Sequence, residues 1–193
     1  MDYEKELQEI GFIGNSEILQ IIKDENRKII KTYTISQLVE ALQDYEEEMK
    51  NAEKRKEKFL KLNETQGDIN KDGIMEKWKQ NIKKGYERYK VSNFGRVKYI
   101  NYESPVPQKD ENGKIGYLVL DKELFGHGIT GKVYVYRMVA DTWLEEDPRQ
   151  SKKLGSWHVH HITNNGYDNS LENLILIRQL LHYKIHALAK KFL

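Results

Sequence analysis

The chain has 193 residues, 38% of them hydrophobic and 32% charged. That length allows one ordinary domain, or a small domain with an appendage; no apolar run approaches a membrane span, and the start carries no secretion-signal pattern. With no cysteine, disulfides, thiolate metal sites and a cysteine nucleophile are excluded, and a reducing, cytoplasmic setting is expected.

The net charge of +2 conceals an asymmetry. Residues 1–73 carry 12 Lys and Arg against 17 Asp and Glu, whereas residues 74–193 carry 20 against 13. The balances are therefore −5 and +7. The basic portion also holds Trp78, Tyr86, Tyr89, Phe94 and Tyr99. Cations interleaved with aromatics are what a phosphate-binding surface needs, although solvated lysines alone give the same count.

In chain order, the first 35 residues are mixed. Apolar clusters broken by Gly11 and Gly14 predict a short helix, a strand or helix near Ile18–Ile22, and a strand at Lys28–Tyr33. Ser36 then stands as an N-cap, followed by Leu38, Ala41, Leu42, Tyr45, Met49 and Ala52 at helical spacing. A helix is expected over about 36–62, with its second half, KNAEKRKEKFLK, almost wholly charged. Such a face is usually solvated or coiled-coil, and it makes this helix a candidate homodimer contact.

Residues 63–73, NETQGDINKDG, read as a linker. Asp68, Asn70, Asp72 and Gly73 imitate the start of a calcium loop, but the twelfth position, where a bidentate glutamate is required, is Lys79. A polar turn is the better reading. Strand patterns follow: YKVSNFGRVKYI turns at Ser92–Gly95, and two β-prone runs flank GHGITGK, which places His127 in a hairpin turn. Met138, Val139, Thr142 and Trp143 have the spacing of a short helix over about 136–144 that Pro148 cannot extend.

Five of the six histidines lie in WHVHHITNNGYDNSLENLILIRQLLHYKIH, residues 157–186. His182 and His186, four apart in a segment without glycine or proline, share one helix face and can grip one ion. Ahead of them WHVHHI alternates as a strand, so His158 and His160 point one way and His161 the other. The unit reads as strand, polar loop, a second strand, then helix. Three imidazoles with open positions for water and substrate are a candidate catalytic metal site, although a histidine pair at this spacing is by itself more often a helix surface than a ligand set. Trp143 and Trp157 read as core residues.

The run V-H-H-I, N-N, L-E-N-L and H-x3-H resembles the HNH endonuclease motif, the ββα-metal fold. Upstream, EKWKQNIKKGYERYKVSNFGRVKYI resembles the β-rich module that precedes HNH domains in phage and homing-type endonucleases. YVYRMVADTWL resembles their H-R-L-V-A-x-x-F segment, with Tyr136 in place of the histidine. The resemblance covers roughly residues 74–193. It implies an α+β protein: an N-terminal mainly helical region at 1–73, a β-rich DNA-contact module at 74–150, and a catalytic ββα-metal unit at 151–193.

The resemblance also implies roles. His161 would be the general base and Asn173 would hold its imidazole. His160, His182 and His186 would bind one divalent ion, with Mg2+, Mn2+, Ni2+ or Zn2+ as candidates. Lys83, Lys84, Arg88, Arg96 and Lys98 are candidate contacts to double-stranded DNA, positioning rather than specifying. His158 is a candidate for supporting a ligand or for contacting phosphate. The expected activity is metal-dependent hydrolysis of phosphodiester bonds in the cytoplasm of a bacterial or phage-infected cell. The alternative is a non-cleaving DNA-binding module with a structural metal. A weaker alternative is an interaction protein driven by the charged helix.

Overall fold

The computed structural model describes residues 5, 8–10, 17–23, 29–43, 52–110, 116–120 and 132–191. The chain forms two compact units that do not follow chain order. One comprises 1–50, 144–165 and 174–193; the other comprises 51–143 and 166–173.

In the first unit, strand β1 (Glu17–Ile22) pairs antiparallel with β2 (Ile29–Thr34), with Ile18 opposite Tyr33. The ambiguous Ile18–Ile22 run is thus a strand, as its β-branched residues favour. Thr34 ends β2 and caps the next helix, α1 (Ile35–Gln43). Its Oγ1 accepts from Gln37 N at 3.2 Å, and Gln37 Oε1 accepts from Thr34 N at 2.8 Å. This reciprocal box displaces the expected cap, Ser36, which already lies inside the helix. The expected 36–62 helix is seen as α1 and α2 (Ala52–Glu64); residues 44–51 between them lie outside the described residues.

The C-terminal part of this unit is a ββα arrangement. Its elements, in chain order, are β11 (Trp157–His161), β12 (Leu174–Arg178) and α4 (Gln179–Lys191). β11 and β12 pair antiparallel, with His160 opposite Ile175 and His161 opposite Leu174. LILIR, which helical periodicity alone would merge with α4, is therefore a strand.

Ile18, Ile35, Leu38, Val39 and Leu42 share one buried core with Ile175, Ile177, Leu181, Ile185 and Leu188. Burying each of these side chains contributes about 1.5–3 kcal/mol. The buried Gln20 also donates from Nε2 to Leu174 O at 2.6 Å. Residues 17–23 and 29–43 thus belong with the ββα arrangement, not to a separate mainly helical region. An isolated hairpin and an isolated ββα unit each leave an apolar face that the other covers.

The second unit holds α2 and, among the described residues, four short antiparallel strand pairings. β3 (Asn70–Lys71) and β4 (Ile74–Met75) join through Asp72 and Gly73, both at positive φ. Asp-Gly is the sequence such a two-residue turn favours. Asp68 accepts a hydrogen bond from Trp78 Nε1 at 2.7 Å, so the calcium-like run is a polar turn.

β5 (Trp78–Gln80), β6 (Tyr89–Ser92) and β7 (Val97–Tyr99) form one antiparallel sheet, which bears out the turn at Ser92–Gly95. β8 (Gln108–Asp110) pairs with β9 (Leu118–Leu120), and Val119 bridges to Tyr134 ahead of α3 (Val135–Trp143). The GHGITGK turn, with His127, lies outside the described residues. β10 (Leu144–Glu145) returns to the first unit and adds to the free edge of β1.

Candidate metal centre

β11 and α4 bring the histidines together. The pleat of β11 puts His158 and His160 on the side facing α4 and turns His161 to the other. On α4, the four-residue spacing stacks His182 and His186, whose ring centroids are 4.8 Å apart. The His160 ring lies 5.1 Å from each of them. Each of the three can offer a ring nitrogen, and these atoms all fall within 4.8 Å of one another.

Burial drives the His160 imidazole well below its usual range, aided by the nearby His182, His186 and His161. Burial, then His186, His158 and His161, lower His182 to about 4. His186 is lowered by burial and by Lys190. All three are therefore neutral near pH 7, with lone pairs available to a cation. Nε2 of His160 is buried and has no hydrogen-bond partner among the described residues. A buried ring nitrogen left without a partner calls for a ligand. Three imidazoles suit zinc, nickel or manganese better than magnesium, which prefers oxygen. The residues thus fit a divalent ion.

His161 is 6% exposed, at the end of β11. Asn173 ends a 3-10 turn, Leu171–Asn173, and belongs to the second unit. Its Nδ2 donates to Asp168 O at 2.8 Å, and Leu171 N donates to Asn93 O at 2.8 Å. In the chain Asn173 immediately precedes Leu174, the register partner of His161.

The expected DNA contacts divide. Lys83, Lys84 and Arg88 are exposed, and Lys83 Nζ meets Asp141 at 2.7 Å. Arg96 is fully buried; its NH1 donates to Glu76 at 2.8 Å and to Gly67 O at 3.0 Å, and its NH2 donates to Thr65 O. Lys98 is buried, with its Nζ 4.3 Å over the Trp78 ring and 3.7 Å from Glu103. Arg96 and Lys98 are therefore structural and not DNA contacts.

The alternation that groups Arg96 with Lys98 is real, but their face is buried, as is Val97 on the other face. Glu76 and Trp78, an acid and an aromatic at the same two-residue spacing, were the signal that sequence reasoning passed over. Tyr89 and Phe94 are likewise core, as is Trp143, whose Nε1 donates to Val91 O at 3.1 Å. Trp157 is half-buried under the Arg178 guanidinium, 4.0 Å from its ring centroid.

No family model matches the sequence. An uncharacterized HNH endonuclease of Acanthamoeba polyphaga mimivirus is 32% identical over 97 residues. That match takes in 50% of this chain and 22% of the relative, so the chain spans about a fifth of that protein's length. A solved structure described as "DNA binding and cleavage by the HNH homing endonuclease I-HmuI" aligns at 26% identity with a TM-score of 0.43. The alignment covers 61% of this chain and 60% of that one.

Proposed function

We propose that this chain, which is similar over half its length to an HNH endonuclease, is a metal-dependent endonuclease that hydrolyses phosphodiester bonds in double-stranded DNA. The observation that carries the reading is the pairing of two roles on neighbouring residues. His160 joins His182 and His186 in a ligand cluster with an orphaned buried nitrogen, while His161 is turned to the opposite face of the same strand.

In this reading His160, His182 and His186 hold one divalent ion, with Mg2+, Mn2+, Ni2+ or Zn2+ as candidates. When bound, such an ion neutralises charge on the scissile phosphate and stabilises the leaving oxygen. A ring nitrogen of His161 takes the proton from the attacking water, which a neutral imidazole does well near pH 7. Asn173, adjacent in the chain to Leu174, is assigned to hold the His161 ring in one orientation. Lys83, Lys84 and Arg88 are assigned to phosphates; a loose Coulombic hold there positions the duplex without reading sequence.

The test is cleavage of supercoiled plasmid by the full chain, stripped with EDTA and resupplied with each metal in turn. Nicking is expected only with metal present, and it should disappear in His161→Ala while zinc affinity is retained. DNA binding with no cleavage under any metal would favour the non-cleaving module. Cleavage that survives in His161→Ala would remove the base assignment.

A further inference from the structure

His158 occupies the same face of β11 as His160 but is not one of the three clustered ligands. Its Nδ1 lies 3.3 Å from Nδ1 of His182, with the two rings 5.3 Å apart and inclined at 70°. The Tyr183 ring meets His158 edge-on at 5.8 Å. His158 thus abuts His182 from outside the ligand cluster, and β11 holds it there through its pairing with Ile177 on β12.

A contact between two Nδ1 atoms constrains both protons. A neutral imidazole carries one N–H, so one ring must donate and the other accept. If His158 donates, the proton of His182 must sit on Nε2, and its remaining lone pair is spent on His158. That arrangement leaves His182 no nitrogen with which to ligate. If His182 donates from Nδ1, its Nε2 keeps a lone pair, and His158 carries its own proton on Nε2. Only the second arrangement is compatible with His182 as a ligand. A ligating histidine ordinarily secures its second nitrogen on a carboxylate, a carbonyl or water, and such partners set both ring orientation and affinity.

We propose that His158 is a positioning residue for the metal centre: it accepts a hydrogen bond from Nδ1–H of His182 and so commits His182 to ligation through Nε2. The inference rests on the three-histidine reading of the site. It also explains why four histidines gather where three would hold the ion. His158 is there to choose the tautomer of a ligand on a different element, α4. An imidazole, unlike a carboxylate, brings no negative charge to the centre.

The experiment compares zinc binding by wild type, His158→Phe and His158→Asn, using competition with a chromophoric chelator. Phenylalanine keeps the ring and its packing but has no acceptor; asparagine restores an acceptor near the position of Nδ1. His158→Phe should weaken zinc binding about 10–100-fold, and His158→Asn should remain within about threefold of wild type. Long-range 1H–15N spectra of the zinc-loaded wild type should show His182 protonated at Nδ1 and metal-shifted at Nε2. Equal zinc affinity in wild type and His158→Phe would overturn the inference, as would metal-shifted nitrogens on His158 itself or on Nδ1 of His182. Those results would leave the three-histidine site standing. A wild-type chain that binds no zinc would remove the site and the inference together.

Discussion

Arg96 offers the sharpest test of structure against sequence pattern. On pattern it is a DNA contact; in the fold it is the cation that neutralises a buried acid. Arg96 and Glu76 are both without side-chain exposure, and their ion pair spans 2.8 Å. Burial already pushes the Glu76 carboxyl up, against the lowering effects of Ser92 and Arg96.

Arg96→Met removes the cation and the donors to Gly67 O and Thr65 O, leaving the buried Glu76 carboxyl with only the hydrogen bonds from Ile69 N and Ser92. Breaking a buried pair from one side costs about 3–5 kcal/mol. Part of that is recovered as pH falls, because Glu76 can then take up a proton and bury as a neutral acid. Arg96→Met with Glu76→Leu removes both charges and should recover most of the loss.

The assay is urea unfolding followed by far-UV circular dichroism, beside DNA affinity at several salt concentrations. The expected outcome is a large loss of stability, a favourable coupling in the double variant, and an unchanged salt dependence for the folded protein. A phosphate contact would behave in the opposite way: stability near wild type and a salt slope reduced by about one. That result would refute the structural assignment.

Gly95 sits at φ +79°, and a Cβ built there would lie 2.8 Å from Asn169 Cβ and from Asn169 O. Gly95→Ala should therefore destabilise the chain by about 1–3 kcal/mol, measured as a lowered urea midpoint; an unchanged midpoint would contradict this packing. The metal-free protein should also lose stability as pH falls from about 6.5 towards 4, the window between the ordinary imidazole value and that of folded His182. The sign follows because the unfolded chain binds protons that the native site refuses, so stability is fully present above that window. His182 accounts for about 1–2 kcal/mol of the loss once solvent screening is allowed for, and saturating zinc should oppose it. Thermal midpoints taken across that range, with and without zinc, test both statements; metal-free midpoints that stay level across the window would refute the burial of these rings.

Much of the site was written in local spacing. A pleated strand sends neighbouring side chains to opposite faces, so His160 and His161 were divided before any contact was known. A helix returns to one face after four residues, so His182 and His186 were paired. The Asp72-Gly73 turn and α3 were also legible, because turn chemistry and helical periodicity are properties of a few consecutive residues.

What spacing could not supply was the identity of the buried face. Arg96 and Lys98 alternate correctly, yet they point at Glu76 and Trp78, about 20 residues earlier in the chain. Lys83, Lys84 and Arg88 stayed exposed. Thr34 displaced Ser36 as cap because the chain leaves β2 extended at Thr34, which a sequence window cannot weigh against a serine two residues on. The second strand expected in the histidine-rich unit is fixed at LILIR by its pairing with WHVHH. Strand β1 and helix α1 joined the ββα core because two incomplete apolar surfaces, more than 100 residues apart in the chain, cover each other. Periodicity is set by the backbone, residue by residue, whereas burial is set by whatever distant segment supplies the other side.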